Sequence, residues 1–482
     1  MILTDIIVSN AVIAIPAIAA LILVFQVDYR RSAQINTIAS GVAFVFSLIL
    51  LMKGKETNDY LFVDDLNIVF IVLSTFIGFT TSIFSASYID FEIGKGKLNS
   101  NNIRFYHAMY QIMMLAMNLA LLATNIGLMW VAVEIATLST VLMVGIYRSS
   151  EALEAAWKYF ILGSVGIALA LFGTILVYTA AEPIIGEGYN SMVWQSLLAH
   201  ADHFNPRLLN VAFIFLIIGY GTKVGLVPMH AWLPDAHAEG PTPISAVLSG
   251  LLLNVALYSI LRFKMIIAAN SAVISPGPLM ILLGLSSVLF SALMLYRRDD
   301  IKRLFAYSSI EHMGIITVAF GIGGPIANFA GLLHMTMHSL TKSAIFFCVG
   351  HITQVKGTQK IADIRGLTTS HPILGWGLVI GVIAILGFPP LGVFMSEFLL
   401  VSSAFAHQPW IAVILAIGLL IALGAMSNRL IGMAFGEPNH SEGAVRASVL
   451  PLYIHLLIVL IAGAYLPQIV VISFQNIAKI LG

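Results

Sequence analysis

A single cysteine, Cys348, excludes a disulfide framework and leaves the chain without the thiolates an iron–sulfur cluster needs. Any redox chemistry tied to this protein therefore runs on another chain. Charge is scarce as well: Asp, Glu, Lys and Arg make up 10% of the 482 residues and nearly cancel, to a net +1. With no basic run of any length, that balance argues against a nucleic-acid partner. Domain linkers, low-complexity tracts and soluble domains are also missing. Residues 1–26 lack the basic start and small-residue cleavage site of a signal peptide, and their apolar run is expected to stay as a first membrane span.

What the sequence does have is apolar length. It is 59% hydrophobic, with a mean hydropathy of +0.95, outside the range of soluble globular domains. About 20 apolar residues cross a bilayer as a helix, and backbone groups in lipid must be satisfied internally. Repeated runs of that length imply an all-α polytopic membrane protein. Fourteen spans are expected, near 3–26, 34–52, 66–87, 105–122, 125–147, 155–180, 208–237, 242–262, 271–296, 304–322, 325–354, 372–404, 409–433 and 449–475. Alternate joints then carry sixteen Lys and Arg against six. Arg30, Lys95, Arg298, Lys302 and Arg446 belong to the richer set, Lys53, Arg207 and Lys264 to the poorer. This bias puts both termini outside the cytoplasm. The run RRDDIKR at 297–303 reads as a topology anchor and lipid-facing rim, and the polar joint 181–207 as an ordinary connecting loop.

The seventh, eleventh and twelfth spans are too long for a straight crossing. At ~1.5 Å per residue the twelfth would measure about 50 Å against a core of roughly 30 Å. Gly225 and Pro228 can break the seventh, and Gly387, Pro389, Pro390 and Gly392 the twelfth. The two breaks lie five spans apart. Residues 105–265 (helices 4–8) and 266–433 (helices 9–13) then form two five-helix units, the second inverted relative to the first. Residues 1–104 supply helices 1–3, and 434–482 helix 14. Interrupted helices at matched positions of inverted units point to a transport site.

Ionisable residues inside spans are costly, and so are candidates for function. Glu134 lies near the middle of the fifth span and Lys223 near the seventh break, opposite charges suited to a pair that an arriving proton could open. The alternative is a static ion pair that fixes helix packing. Glu397 follows the twelfth break and is the second unit's counterpart, unless a loop solvates it. Between these sites His334, His338 and Lys342 recur every four residues on one helical face, a spacing that suits a water-bridged proton relay. No metal is expected there, because no acidic or Cys residue accompanies the histidines on that face and Lys342 would repel a cation. They can also be satisfied core histidines. Glu311 and His312 are adjacent, so they face different ways, one toward the relay and one toward a neighbouring bundle or the rim. His230, Asp235, His237 and Glu239 form either a proton inlet on the basic face or helix caps, Asp235 and Thr242 being good end residues.

These stretches together carry a resemblance. Glu134 in VEI, TKVGLVPMHAWLPDAHAEGPTPISAVLSG, DIKRLFAYSSIEHMG, HSLTKSAIFF and GFPPLGVFMSEF resemble the antiporter-like subunits of the membrane arm of respiratory complex I. That superfamily also holds the large subunits of Mrp antiporters and the membrane subunits of group 4 hydrogenases. The wording of LPDAHAEGPTPISAVLSG and SSIEHMG looks most like component F of hydrogenase-4-type complexes. The resemblance implies fourteen core helices, Glu134 and Lys223 as a coupled pair, His334, His338 and Lys342 as a relay, and Glu397 as the terminal proton site. It implies no cofactor on this chain, with iron–sulfur and NiFe centres on partner subunits of a peripheral arm, other membrane subunits beside it, and a bacterial or archaeal cytoplasmic membrane around it. Two departures are visible. Where many relatives carry Lys or His on the eighth helix, the candidates here are Asn254 and Tyr258, which leaves more of that link to water. The sequence shows no long lateral helix after the fourteenth span, and Glu at 397 rather than Lys fits the internal kind of subunit. A redox-linked proton pump is thus one expectation. A sodium/proton antiporter subunit or proton-driven partner of an ion- or carbon-uptake complex is a second, and a passive anchor a third.

Overall fold

The computed structural model describes residues 2–98, 100–438 and 448–482; Arg446 of the charge bias lies outside them. The chain is an all-α polytopic membrane protein. Its first helices are α1 (Ile2–Phe25), α2 (Tyr29–Lys53), α3 (Asn67–Gly94), α4 (Ser100–Leu122), α5 (Ile126–Val144) and α6 (Ser150–Ile185), with a two-stranded ribbon, β1 (Glu56–Thr57) and β2 (Phe62–Val63), between α2 and α3. Starts are set by side-chain caps: Asn125 accepts from the amides of Gly127 and Leu128, and Ser149 from that of Ala152. After α7 (Trp194–His200) come α8 (Pro206–Val224), α9 (Trp232–Glu239) and α10 (Thr242–Val247), which passes through a π-turn at Leu248–Leu252 into α11 (Leu253–Ala268). The remainder is α12 (Gly277–Leu295), α13 (Ile301–Ile322), α14 (Gly324–Lys356), α15 (Leu367–Ser370), α16 (Pro372–Ile385), α17 (Gly392–His407), α18 (Pro409–Phe435), α19 (Leu450–Ala464) and α20 (Gln468–Ile480).

Among the described residues eleven helices are long and apolar enough to cross a membrane, and the bent pair α19 and α20 makes a twelfth. The 33-residue α14 carries the His334, His338 and Lys342 row and is less apolar, yet it lies at the centre, against α3, α10, α13, α16, α17, α19 and α20. Around it α10, α11 and α13 are buried almost throughout, while α1, α2, α6 and α18 turn apolar faces outward.

Both expected breaks are present. α8 ends where Gly225 takes φ +80°, and helix resumes at Trp232; α16 ends at Ile385, Gly387 takes φ +67°, and helix resumes at Gly392. Pro228, Pro389 and Pro390 lie inside these interruptions, where a missing amide proton breaks no helical bond. Polar groups freed at the first break find side chains: the Trp232 indole donates to the Thr222 carbonyl at 2.7 Å, and the Val227 amide to Ser287 Oγ at 2.9 Å.

Three regions differ from the sequence reading. The run 449–475 is two helices meeting at 69°, with α20 turned aside so that Phe474 packs on Phe70 and Phe329. The joint 181–207 is a built element: α6 continues through Pro183 to Ile185, and Trp194 is buried, stacked on Phe62 and donating to the Arg262 carbonyl at 2.9 Å. The run 297–303 is more than a rim, since Lys302 is buried and donates to the carbonyls of Ala238 and Gly240 at 2.9 and 2.6 Å, and Arg303 pairs with Asp235 and Glu239.

The joints meet in two groups, one at each end. Ile301 and Ile361 bond across to Gln359 and Asp299 at one end, where Lys158 and Arg303 also converge on Asp235. At the other, Thr124 and Trp194 bond to the 59–60 and 124 backbones, and Asp64 grips Arg262 through two bonds of 2.7 and 2.8 Å. The Arg262 guanidinium lies over the rings of Phe62, Trp194 and Tyr258.

Candidate functional site

The sequence places Glu134 two turns into α5 and Lys223 in the last turn of α8, and the fold joins them. Lys223 Nζ donates to Glu134 Oε2 at 3.2 Å and to Thr137 Oγ1 at 2.8 Å. Lys223 is 1% exposed and Glu134 18%, so the carboxylate is the more open partner. Two features accommodate the ammonium. It ends a helix, where unpaired carbonyls favour positive charge. Gly163 on α6 leaves it room, since a Cβ there would sit 3.1 Å from Nζ. Gly166, Gly173 and Gly219 bring α6 and α8 together, and a Cβ at Gly219 would meet the Ala170 amide nitrogen at 2.4 Å.

A second cluster forms on α13, α14 and α17. Lys342 Nζ donates to the Phe305 carbonyl at 2.9 Å, and Glu311 lies within electrostatic reach of it. Ser309 Oγ shares that carbonyl at 3.0 Å and meets Ser249 Oγ of the π-turn at 2.7 Å, extending the polar contacts off α14. One turn from Lys342, His338 has both ring nitrogens buried and without a partner among the described residues. His312 stacks on His334 and tilts against His338, with ring centroids 5.1 and 5.6 Å apart. His312 Nδ1 is 2.9 Å from His334 Nε2, and His334 Nδ1 is 2.9 Å from Ser396 Oγ. Beside Ser396, Glu397 lies near Gly387 at the second break; its Oε1 is buried and has no partner among the described residues, while the residue as a whole is partly exposed.

Glu311 and His312 therefore both face the interior, the first toward Lys342 and the second toward His334, and neither reaches a rim. His237 is buried, stacked on Phe346, without a hydrogen-bond partner at either nitrogen among the described residues, and within electrostatic reach of Lys302 and Lys342. Lys302 in turn lines a cavity of about 780 Å³ with Tyr88, Glu92, Lys97, Tyr147 and Glu239, at the end holding the basic joints. His230 packs against Phe290 and Tyr307, away from that cavity's walls. Asp235 caps nothing but pairs with Lys158 and Arg303. Asn254 donates to Ser339 Oγ at 2.5 Å and the Met335 carbonyl at 3.1 Å, on α14. Tyr258 donates to the Leu121 carbonyl and accepts from Arg262, outside the two clusters.

Sequence reasoning missed Thr137, Gly163, Ser396 and Glu92. Thr137 was discoverable, one helical turn from Glu134 on the same face. Glu92 is 2% exposed and pairs with Lys97 at 3.1 Å, near a helix end where a carboxylate reads as surface. Ser396 and Gly163 matter only through residues brought to them by the fold.

Residues 123–422 match the family described as "NADH:quinone oxidoreductase/Mrp antiporter, TM". The chain is 61% identical over 473 residues to a hydrogenase-4 component F homolog of Methylacidiphilum infernorum, covering 98% of this chain and 99% of that one. The fold matches a chain of the archaeal membrane-bound sulfane sulfur reductase with a TM-score of 0.86 at 24% identity, over 98% of both chains. It also matches a chain of the Mrp complex of Dietzia sp. DQ12-45-1b, with a TM-score of 0.84 at 17% identity, over 98% of this chain and 97% of that one.

Proposed function

The chain belongs to the NADH:quinone oxidoreductase/Mrp antiporter membrane family, and from that premise we propose that it is a proton-translocating membrane subunit of a redox-driven complex of the group 4 [NiFe] hydrogenase or complex I kind. The single observation that carries this reading is the buried pair of Lys223 and Glu134 at 3.2 Å beside a helix break, and a second ionisable cluster supports it. Burying these charges for packing alone is a costly choice. Ionisable groups with unpartnered atoms inside a membrane protein suit proton carriage over bridging waters.

In this reading the two five-helix units, 105–265 and 266–433, each hold one broken helix and one end of the path. Protons enter from the cytoplasm through the cavity lined by Glu92, Glu239 and Lys302, pass His237, and load Lys342. Opening of the Glu134–Lys223 pair changes the field along the axis. Ser249, Ser309 and water link that pair to Lys342, with Asn254 steadying α14. His338, His334 and His312 then carry the proton to Glu397, which releases it outward, and Glu311 balances the Lys342 charge. Tyr258 and His230 are accessory, holding the surrounding helices. Iron–sulfur and NiFe centres sit on partner subunits in a peripheral arm, and both termini face away from the cytoplasm of a bacterial or archaeal cell.

The test uses membrane vesicles containing the whole complex. Glu134→Gln keeps the shape and removes the charge, so proton translocation is expected to fall at least tenfold while electron transfer is far less affected. Full pumping in that variant refutes the assignment. A second reading, a sodium/proton antiporter subunit without redox chemistry, is favoured by the Mrp half of the family description. Iron–sulfur absorbance or a nickel signal co-purifying with the chain supports the first, and small membrane partners alone the second.

A further inference from the structure

The outward end of this axis gathers donors that suit more than a proton. His312, His334 and Glu397 come from α13, α14 and α17, and one ligand atom of each lies within 4.8 Å of the other two. The His334 ring is oriented from behind. Ser396 Oγ donates to the Val393 carbonyl at 2.8 Å, so its oxygen is free to accept Nδ1–H of His334 at 2.9 Å. That leaves the Nε2 lone pair of His334 facing His312. A bond of this kind, from the far nitrogen of the ring, is what fixes the tautomer of metal-ligating histidines. Glu397 contributes an independent sign, since its Oε1 is buried with no partner among the described residues although a carboxylate accepts several bonds.

We infer that His312, His334 and Glu397 bind a divalent transition-metal ion of the zinc type, and that the bound ion plugs the proton path. Two imidazoles and a carboxylate form a borderline donor set that suits zinc and its neighbours, whereas magnesium, calcium and alkali ions favour oxygen alone. Zinc bonds nitrogen at ~2.0–2.1 Å, so the 2.9 Å between His312 Nδ1 and His334 Nε2 needs to widen only slightly. To ligate, His312 moves its proton from Nδ1 to Nε2; both facing nitrogens then offer lone pairs, and no proton is gained or lost by the imidazoles. A water, or His338 with its two unpartnered nitrogens, completes four-coordination. Lys342 lies within electrostatic reach of His312 and His338, and Glu311, within reach of both Lys342 and Glu397, offsets its charge. Glu397, partly exposed at the α16–α17 break, is the way in. An ion held there occupies the lone pairs the relay needs.

The plugging rests on the relay reading above; the binding does not. The test titrates the full-length chain, purified in detergent, with Co²⁺ and follows the visible absorption of four-coordinate cobalt, then displaces it with Zn²⁺. The same preparations in proteoliposomes report proton flux under an imposed pH step, with and without Zn²⁺. The expected result is one Zn²⁺-displaceable cobalt site, weakened at least tenfold by His312→Asn, His334→Gln or Glu397→Gln and left intact by His203→Gln on the surface. Ser396→Ala keeps all three ligands and the helix, and is expected to weaken cobalt ~10–100-fold by freeing the His334 ring. Zn²⁺ should block wild-type flux over the range in which it displaces cobalt. Absence of the cobalt band, or a band unchanged in the ligand variants, overturns the site; a mapped site with unimpeded flux under Zn²⁺ overturns the plug. A mapped site in a wild-type chain that passes no protons overturns the relay reading and leaves the metal site standing.

Discussion

At the residue scale the buried ion pairs differ in how tightly they are held. Lys223 is bonded to a carboxylate that is itself partly open and to a hydroxyl, so its partner can leave without stranding it completely. Arg262 is the opposite case. It is bound twice by Asp64, enclosed by three aromatic rings and bonded to Tyr258, which suits a fixed clamp between the 59–66 joint and α11. Burial alone would raise the Asp64 carboxyl; the Arg262 guanidinium outweighs it and holds the group below the usual carboxylate range. A folded value below the unfolded one stabilises the protein fully above about pH 4 and loses that contribution as pH falls through the folded value. Asp64→Asn should therefore cost about 3–5 kcal/mol at neutral pH, by leaving a buried guanidinium unpaired. It should also flatten the acid limb of stability. Thermal unfolding in detergent between pH 3 and 7 checks both; an unshifted midpoint with the same acid limb contradicts the clamp.

At the element scale the close crossing of α6 and α8 sets the height of Lys223. Gly219, one turn before it, lies against the α6 backbone, and a methyl there would sit 2.4 Å from the Ala170 nitrogen and 2.6 Å from the Gly166 oxygen. Neither atom can yield without moving a helix. Gly219→Ala is expected to cost about 1–3 kcal/mol by overpacking and to lower pumping, by withdrawing Lys223 from Glu134. Unchanged melting and unchanged pumping would show that the crossing is not a constraint. The two breaks were legible in the sequence because glycine and proline act locally: Gly225 and Gly387 sit where positive φ is required. The α19–α20 bend was not, since the run 449–475 is apolar on both sides of Pro467 and span length outweighed one proline. Spacing by four placed His334, His338 and Lys342 on one face correctly. It could not place His312 and Glu397 beside them, because that meeting depends on how α13 and α17 dock on α14. For the same reason the reading of one helix did not include the donors from α13 and α17 on which the proposed metal site rests.

At the scale of the whole molecule, the joints group at two ends, and Lys302 and Arg303 show that basic residues at one of them hold the structure together. The sole cysteine is buried, which makes labelling of added cysteines simple. Cysteines placed at Lys95 and Arg365 should react with an impermeant maleimide only from the cytoplasmic side, and one placed at His203 only from the other; the reverse pattern would overturn the orientation. The central claim is wider: that Glu134, Lys223, Lys342 and Glu397 belong to one conducting axis driven by a partner. The measurement that tests it most directly is the number of protons moved per electron in inverted vesicles carrying Lys342→Met, the break in the middle. The account predicts that this ratio collapses at least tenfold while electron transfer continues and the complex stays assembled. A Lys342→Met complex that pumps at the wild-type ratio would contradict it.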